Sequence, residues 1–128
     1  MIVKHTITAM MISGLLLVSA ASSAGTEEYN SGFIAAESGD YDSAVLQWGP
    51  LAERGNALAQ FNLAMLYHSG SGVPQNETEA LKWYTAAAEN GYYKAQEYLA
   101  VGYAEGWFGL SKDQRKAIHW QNRIDSGK

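Results

Sequence analysis

Gly91 follows Gly55 by 36 positions, and the residues behind the two glycines fall into step. That internal period restricts the fold more than any single motif in the chain. Ala59-Gln60 meets Ala95-Gln96, Leu63 meets Leu99, Tyr67 meets Tyr103 and Gly70 meets Gly106. After one inserted residue the match resumes, with Gly72-Val73 on Gly109-Leu110, Asn76 on Asp113, Ala80 on Ala117 and Trp83 on Trp120. An earlier partial copy sets Ala44, Ala52, Glu53 and Gly55 against Ala80, Ala88, Glu89 and Gly91. A unit of this length cannot bury its apolar face alone, so the units must stack and share one core.

Within each unit the pattern is helical. Between Leu58 and Tyr67 the apolar residues form two stripes, Ala59, Leu63, Leu66 and Tyr67 on one side and Leu58, Phe61 and Met65 on another. Asn76 stands three before Glu79, the layout of a capping box. Gly70 and Gly72 end one helix and turn the chain, Gly39-Asp40 does so earlier, and Gly55 and Gly91 stop the second helix of their units. The reading is all-α, with helices near 26–38, 41–54, 57–69, 77–90, 93–105 and 113–125. Ala80 and Ala88 let neighbouring helices approach while Trp83 and Tyr67 fill the space beside them.

The run Ala59-Gln60, Leu63-Ala64, Tyr67, Gly70, Gly72-Val73-Pro74, Asn76, Ala80, Trp83-Tyr84, Ala87-Ala88 and Gly91 resembles one complete unit of the Sel-one-like repeat, a branch of the tetratricopeptide class. Gly39-Asp40-Tyr41 with Ala44 resembles the hinge of a tetratricopeptide-type hairpin. The resemblance implies a short right-handed α-α superhelix, a solenoid of about two and a half to three helix-turn-helix repeats. Its repeat domain would span 25–128, in units near 26–54, 55–90 and 91–126. Two departures stand out. The last unit carries the longer turn Trp107-Phe108-Gly109-Leu110-Ser111-Lys112-Asp113, and its final helix has Ile124-Asp125 where the complete unit has Ala87-Ala88. A polar residue there suits a terminal cap.

In that class the first helix of each unit lines the concave face. The resemblance therefore implies a partner-binding surface of Tyr29 and Phe33, then Leu58, Phe61, Met65 and His68, then Lys94, Glu97, Val101 and Glu105. An apolar strip rimmed by charge matches a peptide-binding or helix-binding groove, and Met adapts well at such surfaces. The same two stripes serve equally as core between flanking helices, or as a contact with a second copy of the chain. Trp107-Phe108 is a further patch, either a contact or a plug over the last unit.

Charge narrows the partners. The chain carries 13 acidic and 9 basic residues, a formal net charge of −4. Phosphate backbones call for clustered Lys and Arg, so a nucleic-acid partner is not expected. With no cysteine in the chain, disulfides, thiolate metal sites and a Cys nucleophile are excluded. At the start, Lys4 precedes an apolar stretch from Ile7 to Ala21, followed by Ser22-Ser23-Ala24. That order is a secretory signal peptide over 1–24, with export to the periplasm of a Gram-negative bacterium, or beyond it, as the expectation. The stretch is shorter than the ~20 residues a spanning helix needs, so no stable membrane insertion is expected after cleavage.

Catalytic patterns are missing from the sequence. His5, His68 and His119 have no second ligand at metal spacing, and no HExxH occurs. Ser43, Ser69, Ser71 and Ser111 sit at turns or helix starts without a GxSxG elbow. Glu77 and Glu79 fall in a first helical turn, where they complement the helix dipole. No catalytic residue, cofactor or metal is expected, and the function expected is an adaptor that binds another protein or peptide. A periplasmic immunity or inhibitor protein against an exported toxin is the second reading, and an envelope hydrolase or glycan binder the third.

Overall fold

The computed structural model describes residues 23–107 and 109–128, which form six α-helices and, among the described residues, no strand. They are α1 (Ser23–Glu37), α2 (Tyr41–Glu53), α3 (Ala57–Ser69), α4 (Glu77–Glu89), α5 (Tyr93–Glu105) and α6 (Gln114–Ser126). All but Ser23 and Ala24 of the expected leader lies outside the described residues, as does Phe108 of the aromatic insert.

Capping side chains set the helix starts. Asp40 accepts from the Ser43 amide at 3.1 Å, Asn56 from Ala59 at 2.9 Å, Asn76 from Glu79 at 3.1 Å, and Asp113 from Lys116 at 3.1 Å. Each satisfies an amide that the first helical turn leaves without a partner. The capping box expected at Asn76 closes on one side only. The Asn76 amide donates instead to the Tyr67 carbonyl at 2.9 Å, and the Asp113 amide donates to the matching Tyr103 carbonyl at 2.9 Å. The loop before α6 is one residue longer than the loop before α4, yet both loops return to the same anchor.

Packing follows chain order. α1 lies against α2, α3 against α4 and α5 against α6, and these hairpins join through α2–α3 and α4–α5. Two glycines make close approaches work. Gly72 adopts φ +71°, and a Cβ there would sit 2.5 Å from the Tyr41 carbonyl at the start of α2. A Cβ on Gly32 would run into the Trp48 indole, whose Nε1 donates to the Tyr29 carbonyl at 3.1 Å.

α3 is the centre of the molecule. Every residue from Ala59 to Leu66 is buried, as expected of a helix enclosed on all sides. Its neighbours supply the rest of the core, including Trp48 and Leu51 from α2, Tyr84 and Ala87 from α4, and Ala95 and Leu99 from α5.

The junctions between hairpins use one repeated device. Gln60 Nε2 donates to the Ala52 carbonyl at 2.9 Å, and one repeat later Gln96 Nε2 donates to the Ala88 carbonyl at 3.0 Å. Asn90 Nδ2 donates to the Gln60 Oε1 at 3.0 Å. Both glutamines are buried, so these bonds spare polar groups an unmet desolvation cost.

Candidate functional surface

The first helices of the three hairpins present the same register positions in different surroundings. On α3 Phe61 is 6% and Met65 4% exposed, which corrects the expectation of an open apolar strip there. Phe61 lies under two tyrosines. Its ring centroid is 5.4 Å from that of Tyr84 on α4 and 5.0 Å from that of Tyr92 at the entrance to α5. Leu58 is half-buried at one end of this strip. At the other end His68 Nδ1 lies 2.9 Å from Glu77 Oε2. Gln75 Nε2 also donates to the His68 carbonyl at 3.0 Å, so this polar group ties the α3–α4 loop to both helices.

On α1 Tyr29 and Phe33 are half-buried. Tyr29 stacks on Trp48 at 5.9 Å, and its hydroxyl accepts from Asn62 Nδ2 at 3.0 Å. Burial, with the Tyr92 hydroxyl nearby adding to it, pushes the Tyr29 hydroxyl above the ordinary tyrosine range against the opposing Asn62 bond.

On α5 the same positions are open. Lys94, Glu97 and Glu105 are exposed, and Val101 is 42% exposed. Tyr93, not singled out in the sequence, completes the strip at 53%. At 100° per residue Tyr93, Glu97, Val101 and Glu105 lie along one side of the helix, while Ala95, Leu99 and Gly102 turn inward. The Glu97 carboxylate, with a smaller contribution from the charge of Asp125, holds the Tyr93 hydroxyl above its ordinary pKa. Beyond the helix, Trp107 is 52% exposed.

The missed residues carried a signal in the register. Phe61 on α3 corresponds to Glu97 on α5, and Tyr84 on α4 to Gln121 on α6. An aromatic pair in the middle hairpin becomes a charged and polar pair in the last. Buried facing positions do not accept that exchange; exposed ones do.

A shallow cleft with room for only about 10 Å³ lies between α4, α5 and the loop before α6, lined by Glu77, Ala80, Leu81, Tyr84, Tyr98 and Leu110. Small-molecule sites run to roughly 300–1,000 Å³. The cleft is nearly filled by Tyr84 and Tyr98, whose rings stack at 4.0 Å. Burial drives both hydroxyls well above the ordinary tyrosine range. No group of three or more His, Cys, Asp or Glu side chains able to hold a metal ion occurs among the described residues.

A family model described as the Sel1 repeat matches residues 57–92 and 94–120. The chain is 40% identical over 72 residues to an F-box protein of Arabidopsis thaliana, covering 56% of this chain and 20% of that protein. It is 34% identical over 85 residues to the ERAD-associated E3 ubiquitin-protein ligase component HRD3A of the same plant, covering 64% of this chain and 12% of that one. It thus spans a fifth or less of either relative. The crystal structure of c5321, a protective antigen of uropathogenic Escherichia coli strains displaying an SLR fold, superposes with a TM-score of 0.68 at 31% identity, over 80% of this chain and 22% of that one.

Proposed function

The chain belongs to the Sel1 repeat proteins, which are generally protein-interaction modules, and we propose that it is a non-enzymatic adaptor that captures a partner protein through the open strip of α5. One observation carries this reading. Register positions that are sealed in the core of the middle hairpin, Phe61 and Met65, stand open on α5 as Glu97 and Val101. Tyr93 and Val101 supply apolar contact and Lys94, Glu97 and Glu105 a charged rim, the mixture that protein interfaces use.

Two relatives point the same way, since one is an F-box protein and the other a component of a ubiquitin-protein ligase. The leader-like sequence at residues 1–24 supports a periplasmic or secreted site of action, in which the chain holds one partner at a time.

The test is Val101→Glu in affinity purification from the envelope fraction. The half-open site tolerates the charge, so helical content by circular dichroism stays unchanged while the co-purifying partner is lost. Capture by Val101→Glu at the wild-type level contradicts the assignment.

A further inference from the structure

The turn after α4 carries a reactive dipeptide that the matching turn after α2 lacks. In the repeat, Arg54-Gly55 corresponds to Asn90-Gly91. Both glycines have positive φ, +90° and +85°, and each follows the second helix of its hairpin. The residue before each glycine reaches back to the first helix of the same hairpin. Arg54 pairs with Glu28 at 2.6 Å, and Asn90 Nδ2 donates to Gln60 Oε1 at 3.0 Å. Glu28 and Gln60 hold the same place in the repeat. A charged latch in the first hairpin is thus an amide latch in the second. Gln60 is buried and also donates to the Ala52 carbonyl of α2, so Asn90 is tied through it to both hairpins.

Asn-Gly is the dipeptide in which asparagine most readily loses its amide, because glycine puts no side chain beside its own nitrogen. Asn90-Gly91 is the sole Asn-Gly in the sequence. Asn90 is exposed, and beyond the adjoining residues nothing lies within 4 Å of where a Cβ on Gly91 would sit. Water and base therefore reach the dipeptide. The folded backbone nevertheless holds the reacting atoms apart. At φ −81° and ψ 13° Asn90 turns the Gly91 nitrogen away from its own Cγ. The Gly91 N–H donates to the Ala88 carbonyl at 3.1 Å, and the side-chain amide is held on Gln60.

We propose that Asn90-Gly91 is a latent self-modification site, kept closed by the Gln60 latch and released when the end of α4 parts from α3. Once free, the Gly91 nitrogen gives its proton to solvent base and attacks Asn90 Cγ. The Cγ–Nδ2 bond breaks, ammonia leaves, and a cyclic succinimide remains. Water then adds to either ring carbonyl and breaks its bond to the nitrogen, giving aspartate or isoaspartate. One water is consumed and one ammonia released, with no oxidation or reduction. Either product removes the donor to Gln60 Oε1 and sets a carboxylate against that buried oxygen, which is unfavourable. Isoaspartate also adds a methylene to the backbone of a turn whose Gly91 and Tyr92 amides are bonded to the Ala88 and Ala87 carbonyls. The reaction therefore makes permanent the opening that permits it. Arg54 has no such chemistry, so the change is confined to the turn that leads into α5.

The test incubates the full chain in mildly alkaline buffer and follows every asparagine by peptide mass spectrometry, with isoaspartate read by methyltransferase labelling. Asn90 converts ahead of all other asparagines. Gln60→Ala speeds that conversion about tenfold, because loss of the bond raises the open population. Gln60→Met, which keeps the side-chain bulk, carries the same prediction should Gln60→Ala fail to fold. Asp40→Ala removes the α2 cap, leaves the latch intact and gives the wild-type rate. The wild-type chain unfolded in urea reacts at least as fast as Gln60→Ala, a comparison that needs no variant to fold. Equal rates in the folded and unfolded wild-type chain overturn the proposal. So does conversion led by another asparagine, or a wild-type rate in a folded Gln60 variant.

Discussion

Phe61 and Glu97 stand one repeat apart at the same place on the same kind of helix, yet one is enclosed by Tyr84 and Tyr92 and the other faces solvent. The same holds for Met65 and Val101, and for Tyr84 and Gln121. The repeat specifies the backbone at both places, but only the neighbouring hairpin decides whether a face is core or surface. One repeated pattern therefore builds a buried face on α3 and an exposed one on α5.

The contrast predicts unequal costs for matched substitutions. Phe61→Ala should lower the unfolding free energy by about 3–5 kcal/mol in urea titration, while Glu97→Ala should change it by less than about 0.5 kcal/mol. Comparable costs at the two positions would break the comparison.

The buried tyrosines sharpen it next. Tyr29, Tyr84 and Tyr98 are pushed upward, first of all by burial, so the folded chain holds these protons more tightly than the unfolded chain does. Their contribution is complete below the unfolded tyrosine value of about 10 and is lost as pH rises above it. Urea midpoints should be level up to about pH 9 and fall beyond about pH 10.

Gln60→Ala strips the Ala52 carbonyl and Asn90 of a buried partner and should cost about 1–3 kcal/mol. Gln121→Ala, at an exposed position of α6, should cost less than about 0.5 kcal/mol. Caps, by contrast, should ignore the difference between hairpins. Asn76→Ala and Asp113→Ala should each cost about 1 kcal/mol by thermal denaturation.

Much of the fold was readable because its signals are local. Asp40, Asn76 and Asp113 stand just ahead of the helices they cap, and the bounds of α2 to α6 agree with the expected ones to within a residue. The proposed binding face was harder to read. The periodicity of Leu58, Phe61 and Met65 shows that they share a side of α3, but says nothing of what lies over that side. The cover comes from Tyr84 and Tyr92, distant in sequence. The useful clue was the exchange of Phe61 for Glu97 between copies. Gln60 and Gln96 were visible as a match, but their part in joining hairpins depends on the carbonyls of Ala52 and Ala88, which the pattern does not reveal.

Because the chain contains no cysteine, a single introduced thiol reports directly on the cover over each face. The measurement is the alkylation rate of Met65→Cys and of Val101→Cys in the full chain. The account predicts that the thiol at 101 reacts as fast as that of a free peptide and is protected when the partner binds, while the thiol at 65 stays protected throughout. Protection at 101 in the free chain, or ready reaction at 65, would contradict it.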